Sequence, residues 1–229
     1  MIEVAETGST NDEVKRLAAE GAGEGTWLRA DRQTAGRGRS GRAWSSIEGN
    51  LHASTLVRVH ATDPPTATLA LVAGVALFNT AEPIVRRPGL MLKWPNDLLL
   101  DGAKVAGVLL ERVGDAVVAG FGVNLAFAPE VPGRRTGVLP GAPAPGMFVR
   151  LLAVAFADAL GNWRCNGLPA IRHAWLMRAH AVGTPLETHA SDGERVAGAF
   201  DGLDEAGALR LRLPDGGTRV IHAGDIHLV

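Results

Sequence analysis

Lys93-Trp94-Pro95-Asn96-Asp97-Leu98-Leu99-Leu100-Asp101-Gly102-Ala103-Lys104-Val105-Ala106-Gly107-Val108-Leu109-Leu110-Glu111 is the stretch on which the fold turns. Met91 to Lys93 and Leu98 to Leu100 have strand character, Asp101-Gly102 has the chemistry of a two-residue hairpin turn, and Lys104 to Glu111 is the returning strand. Another apolar run, Ala116 to Val123, follows a Gly114-Asp115 turn, so at least three successive strands form a meander. Between the first two runs stand a cation, a proline and an anion, a costly interruption if buried without partners. Lys104 lies seven residues past Asp97, where the hairpin brings it back towards that carboxylate. A lysine there could neutralise a transferring phosphoryl group, and the carboxylate could orient or deprotonate an amine. A surface salt bridge, worth little, is the plainer alternative.

Upstream, Leu51 to Val59 reads as a strand and Ala67 to Phe78 as a helix buried on most sides. Thr26-Trp27-Leu28 reads as a short strand, and Asp31 to Ser46 as a loop without apolar periodicity. Thr10-Asn11-Asp12-Glu13 has the form of a capping box, followed at helical spacing by Val14, Leu17 and Ala18 as far as Gly21. Downstream, Phe148 to Leu160 and Ala170 to His180 read as helices covering one face of the sheet. From about Gly183 the pattern changes to short β-prone runs, Pro185 to Thr188, Arg195 to Phe200, Ala208 to Leu213 and Arg219 to His222. The expectation is an α+β chain: a mixed, largely antiparallel sheet covered by helices over residues 1–182, and a small β-barrel over residues 183–229.

With 229 residues, 46% hydrophobic and 21% charged, the chain can bury a sizeable core. A net charge of −1 makes no demand for nucleic acid, an anionic membrane or an acidic polymer. The single cysteine, Cys165, leaves no internal disulfide framework and no multi-cysteine zinc site, which suits a reducing cytoplasm. No metal-ligand set is read. The first residues lack the layout of a signal peptide, and the Ala67 to Phe78 run is well short of the roughly 20 residues a membrane span needs. A cytoplasmic protein without a membrane partner is expected.

Three further features carry chemistry. Ser9 and Thr10 sit at a helix entrance, where unpaired N–H groups and short hydroxyls can hold a polar ligand or simply cap the helix. Gly36-Arg37-Gly38-Arg39-Ser40-Gly41-Arg42-Ala43-Trp44 alternates glycines with guanidiniums and ends in an indole, a composition suited to closing over an anion. It lacks the Gly-Lys-Ser/Thr ending of a P-loop, and a solvated basic loop or a weak nucleic-acid patch fits the same composition. Gly120-Phe121-Gly122-Val123-Asn124 ends a strand with glycines that would admit a ring and an amide that would read it, although Asn at a strand end is commonly a turn residue.

GSTND, QTAGRGRSGRAW, KWPNDLLLDGAKVAGVLLE and GFGVN, in this order, resemble the catalytic domain of the biotin–protein ligase family. The resemblance covers most of Thr7 to Asn124 and, more loosely, the tail at FDGLDEAGALRL. It implies the class II synthetase-like, lipoate–biotin ligase fold with an SH3-like C-terminal barrel. It also implies that Ser9, Thr10, Asn11, Gln33, Gly36, Arg37, Gly38, Lys104 and Gly107 hold biotin. ATP and the adenylate would meet Arg39, Arg42, Trp44, Asn96, Lys104 and Asn124. Arg39, Lys93, Asp97 and Lys104 would carry the catalysis.

The implied reaction adenylates biotin with ATP, with Mg2+ on the phosphates, and passes the biotinyl group to a lysine of a biotin carboxyl carrier protein or carboxylase carrier domain, such as that of acetyl-CoA carboxylase. Some family members carry an N-terminal helix-turn-helix domain; only eight residues precede Ser9, so no sequence-specific DNA binding is expected. Asp12 stands where glutamine or glutamate is more usual. A lipoate–protein ligase or octanoyltransferase is the nearest rival, and Ser9, Thr10 and Gln33 favour biotin because they suit a ureido ring. A non-catalytic biotin-binding or RNA-binding protein would have no need of Lys93, Asp97 and Lys104. Exposed sheet edges could pair two chains as a homodimer or meet the carrier.

Overall fold

The computed structural model describes residues 1–189, 195–224 and 226–228. The hairpin at the centre of the sequence forms as its chemistry dictates. β5 (Asp97–Leu100) and β6 (Ala103–Val113) are joined by Asp101 and Gly102 alone, both with positive φ, 51° and 76°. That is the backbone of a type I′ turn, whose twist matches the strands it joins. β4 (Leu90–Lys93) and β7 (Ala116–Val123) flank the pair, completing a four-strand meander.

Three earlier strands extend the sheet: β1 (Ile2–Thr7), β2 (Trp27–Gln33) and β3 (Leu51–Arg58). The order is β1-β2-β3-β7-β6-β5-β4, with β1 and β2 parallel and every other pair antiparallel. The edge at β4 is occupied in part by residues 178–179, through the Leu92 N–H to the Arg178 carbonyl at 2.8 Å, while β1 forms the other edge. β1 is absent from the sequence reading, because its residues are exposed or half-buried and give no apolar alternation. β2 likewise runs on to Gln33, so the loop starts later than Asp31.

The two faces of the sheet differ. On one, Trp27, Leu51, Ala53, Phe121 and Val123 join the main core under α2 (Leu69–Val85) and α3 (Pro145–Leu176). Trp27, Phe121 and Phe156 pack ring to ring there, with centroids 5.5–5.8 Å apart. α2 is longer than Ala67 to Phe78; from Thr66 to Val85 the chain is long and apolar enough to cross a bilayer, and 67% of its most apolar window is buried in the fold. The two helices expected after residue 148 are both present within α3, which is broken between them at Gly167, φ 74°, with Pro169 in the first turn of the second.

On the other face lies a short helix, α1 (Thr10–Ala19), whose Val14 and Ala18 pack on Leu28, Leu56, Ala116 and Val118. Ser9 is its N-cap and makes no side-chain capping bond, so the expected capping box at Thr10 does not form. The Thr10 and Asn11 side chains bond into the sheet instead.

The tail folds as an antiparallel five-stranded sheet, β11-β10-β9-β8-β12. Its strands are β8 (Pro185–His189), β9 (Arg195–Leu203), β10 (Leu209–Arg212), β11 (Thr218–Ile221) and β12 (Ile226–Leu228). β9 outruns its expected end at Phe200, and β12 is too short to be recognised as a run. The Trp94 indole N–H donates to the Gly207 carbonyl at 3.2 Å, fastening this unit beside the interrupted hairpin.

Candidate active site

Period two along the strands dictates what faces α1. His52 and Ser54 of β3, Gly120 and Gly122 of β7, and Gly107 of β6 share that face, with Gly107 opposite Gly122 and Asp97 opposite Gly107. The glycines make a floor without side chains. A Cβ on Gly120 would fall 2.1 Å from the Asn11 Oδ1, and one on Gly122 would fall 2.2 Å from the Trp44 ring. Asn11 and Trp44 therefore lie directly on the backbone of the sheet.

Above this floor is a cavity of about 180 Å³, and its two ends differ in chemistry. At one end the polar groups are uncharged. The Gln33 Oε1 accepts from the Thr10 backbone N–H at 2.8 Å and lies 3.1 Å from its hydroxyl. Ser54 reaches both the Thr10 Oγ1, at 2.7 Å, and the Asn11 Oδ1, at 2.6 Å. Ser9, Thr10, Asn11 and Ser54 are all nearly fully buried, as befits groups that hydrogen-bond a ligand out of water.

At the other end charge dominates. Asp97, buried, sits between the Lys93 Nζ at 3.1 Å and the Lys104 Nζ at 2.5 Å. Burial would push this carboxyl up, but the two ammoniums outweigh it and hold Asp97 below the usual carboxylate range. The Lys104 Nζ also lies 5.6 Å from the centre of the Trp44 ring. Arg37, Arg39, Arg42, Lys93, Lys104 and Arg134 line the cavity, and Asp97 is the one carboxylate among its described lining residues, a composition suited to a polyanion.

Backbone ties fix both ends. The Asn96 side chain donates to the Val108 carbonyl at 2.6 Å, while the Val108 N–H returns a bond to the Asn96 carbonyl at 3.0 Å. Asn124 donates to the Gly137 carbonyl at 3.0 Å. The arginine loop is a small hairpin, closed by the Trp44 N–H to the Gly36 carbonyl at 2.9 Å and the Gly38 N–H to the Arg42 carbonyl at 2.7 Å. The Arg39 guanidinium lies 3.2 Å from the Gly224 carbonyl, and Lys93 donates to that of Ile226 at 2.8 Å, so the tail sheet supplies part of the wall.

The sequence profile of the biotin/lipoate A/B protein ligase family matches residues 6–127, more than half of the chain. The chain belongs to that family. The profile of the biotin protein ligase C-terminal domain matches residues 188–229. Among relatives of this ligase-family chain, the biotin–[acetyl-CoA-carboxylase] ligase of Paracoccus denitrificans is 39% identical, with 97% of this chain and 98% of that protein covered. The ligase of the same name from Mycobacterium tuberculosis is 37% identical over 97% of this chain and 86% of its own length. In structure, the chain is similar to the biotin protein ligase of Aquifex aeolicus in complex with biotin and ATP, with TM-score 0.86 and 26% identity over 100% of this chain and 98% of that one.

The ligase-family chain brings Ser9, Thr10, Asn11, Gln33, Arg37, Gly38, Arg39, Arg42, Trp44, Lys93, Asn96, Asp97, Lys104, Gly107 and Asn124 onto one cavity. Gly36 stands behind it, where a Cβ would meet the Gln33 Nε2 at 2.9 Å. Sequence reasoning passed over Ser54, Arg134 and Ile226, although Ser54 carried a signal: with His52 it alternates with the apolar Leu51 and Ala53.

Proposed function

We propose that this chain is a biotin–[acetyl-CoA-carboxylase] ligase, which makes biotinyl-5′-AMP from biotin and ATP and transfers the biotinyl group to a lysine of a carboxylase carrier domain. One observation carries the reading: a single cavity joins a buried, uncharged hydrogen-bonding end to a strongly cationic end. Biotin has the matching shape, with a ureido ring at one end and a carboxylate at the other. Lipoate or octanoate would bring no polar group to the hydrogen-bonding capacity that Gln33, Thr10 and Asn11 keep beyond their bonds to one another, to Ser54 and to Glu111.

In the first step a biotin carboxylate oxygen attacks the α-phosphorus of ATP and pyrophosphate leaves. Lys93, Lys104, Arg39 and Arg42 neutralise charge on the carboxylate and phosphates, and holding the two anions together is the main catalytic task. In the second step the carrier's lysine amine attacks the carbonyl carbon, AMP leaves, and the amine loses a proton. Asp97 orients the lysine pair. Trp44, seated on Gly122, covers the adenylate and keeps water out. Asn124 reads the adenine, with Asn96 beside the phosphates.

Magnesium arrives on the triphosphate as part of the substrate. The lining is consistent with that, since the one carboxylate among its described residues is engaged between two ammoniums. We assign residues 1–182 to the catalytic unit and 183–229 to the barrel that walls the phosphate end. The reading gives the enzyme a cytoplasmic setting and no DNA or membrane partner, and β1 is the edge open to pairing with a second copy.

The test is incorporation of labelled biotin into a carrier domain by the purified protein with ATP and magnesium, run beside Lys104→Ala and Arg39→Ala. Transfer by the wild type, reduced at least 100-fold in the variants, is expected (about 3 kcal/mol of transition-state stabilisation). Biotin-independent ATP consumption, or no biotin binding, would sink the assignment.

A further inference from the structure

Glu111 closes the KWPND-to-VLLE stretch without having been given a role, yet three elements meet on its carboxylate near the end of β6. The Asn11 amide donates to its Oε2 at 2.6 Å, and the Lys15 Nζ lies 2.6 Å from its Oε1. Arg37 of the arginine loop lies 3.7 Å from the same Oε1 and 2.6 Å from the Asp12 Oδ1. Lys15 also reaches Asp12, at 3.3 Å, so the carboxylates and cations form one closed network across α1, β6 and the loop.

The network reaches into the uncharged end of the cavity through proton bookkeeping. An ionised carboxylate only accepts, so Glu111 fixes which face of the Asn11 amide is nitrogen and leaves the Oδ1 pointing at Ser54. The Ser54 hydroxyl then donates to Asn11 and must accept from Thr10 over the 2.7 Å contact. With the Thr10 hydroxyl so engaged, the Gln33 Oε1 is held by the Thr10 backbone N–H, and its amide nitrogen is left to donate to a ligand. The charge on Glu111 thus sets the direction of the hydrogen bonds that run from Asn11 through Ser54 to Thr10.

We propose that Glu111 is a positioning residue that couples occupation of the biotin pocket to closure of the arginine loop, through Asn11 on one side and Arg37 on the other. This rests on reading the cavity as a biotin site. A ligand that accepts from Gln33 stabilises the same bond polarity that Glu111 imposes, and the carboxylate that imposes it also holds Arg37 down. Asp12, at 2.6 Å, is the closer hold on Arg37, and Glu111, at 3.7 Å, is the one that also reaches the pocket through Asn11.

Arg37, Arg39 and Arg42 make the loop a substrate for trypsin, so its closure can be read without catalysis. The experiment measures trypsin cleavage of the full chain within residues 37–42, with and without biotin, for the wild type, Glu111→Gln and Asp12→Asn. Biotin affinity is taken by calorimetry and folding by thermal melting. The wild type is expected to be protected at least 10-fold by biotin. Glu111→Gln, whose amide presents either a donor or an acceptor to Asn11, should lose most of that protection and bind biotin about 10-fold more weakly. Asp12→Asn should lose part of the protection with unchanged biotin affinity, which also covers the case in which the variant at half-buried Glu111 folds poorly. Protection equal to the wild type in both variants would overturn the proposal. Absence of biotin binding by the wild type would instead overturn the reading on which it rests.

Discussion

Trp44 rests on Gly122 so closely that a methyl group on the glycine would sit 2.2 Å from the indole Cζ2 and 2.3 Å from the Cε2. Gly122→Ala therefore forces the indole off the sheet while the strand keeps its pairing with β3 and β6. Adenylate formation and retention should suffer more than folding. A displacement of about 1 Å costs on the order of 100-fold in rate, and the melting temperature should barely move. Stopped-flow release of biotinyl-5′-AMP, alongside calorimetric melting, checks both; unchanged release would show that Trp44 does not cover the adenylate.

Asp97 is the counter-ion of two ammoniums, and because they hold its carboxyl below the usual range, its stabilising effect has a defined pH window. The contribution is complete above the unfolded carboxyl's value near 3.8 and fades only as the pH falls through the lower folded value. Asp97→Asn leaves Lys93 and Lys104 facing one another without a counter-charge. Breaking such a buried group costs about 3–5 kcal/mol, which urea denaturation at pH 7 would register. A loss under about 1 kcal/mol would mean that the lysines relax into solvent.

His180 predicts a pH response of the same sign as Asp97, loss of stability on acidification, but in a higher window. Burial, with a smaller push from Lys93, lowers its ring to about 4, from an ordinary value of 6.5, so the folded chain holds it neutral. The unfolded ring takes up a proton below pH 6.5 and the folded one does not, so stability falls as the pH drops from about 6.5 to about 4. The full excursion is worth up to about 3 kcal/mol at 1.36 kcal/mol per pKa unit. Stability measured at a series of pH values should show this slope, and His180→Leu should flatten it. A slope that survives the substitution would assign the effect to another group.

Legibility in the sequence tracked how local the cause was. The Asp101-Gly102 turn and the strands beside it could be read because their signals lie within a dozen residues. The interruption at Lys93 to Asp97 stood out because apolar strands seldom admit charge. β1 could not be read, since an edge strand with mixed exposure has no period. Within the site, the residues marked by charge or glycine in a motif were found, except Glu111, which lies within a quoted motif but near the end of a strand and acquires its role from Asn11, a hundred residues away.

Asn50 is the extreme case, because nothing local marks it and the structure gives it a whole loop to hold. Its buried Oδ1 accepts from the backbone N–H groups of Leu125, Ala126 and Phe127 at 3.0–3.1 Å, and its Nδ2 donates to the Phe127 carbonyl at 2.8 Å. These four bonds secure the chain immediately after Asn124, whose amide lines the cationic end of the cavity. Asn50→Ala leaves three neighbouring donors without their acceptor, a loss of about 1–3 kcal/mol for each group that water cannot reach. Because the loop borders the nucleotide end and not the uncharged end, the KM for ATP should rise several-fold while biotin affinity stays near the wild-type value. Steady-state kinetics with each substrate varied in turn measures the split, and an equal rise in both constants would mean that Asn50 supports the cavity as a whole.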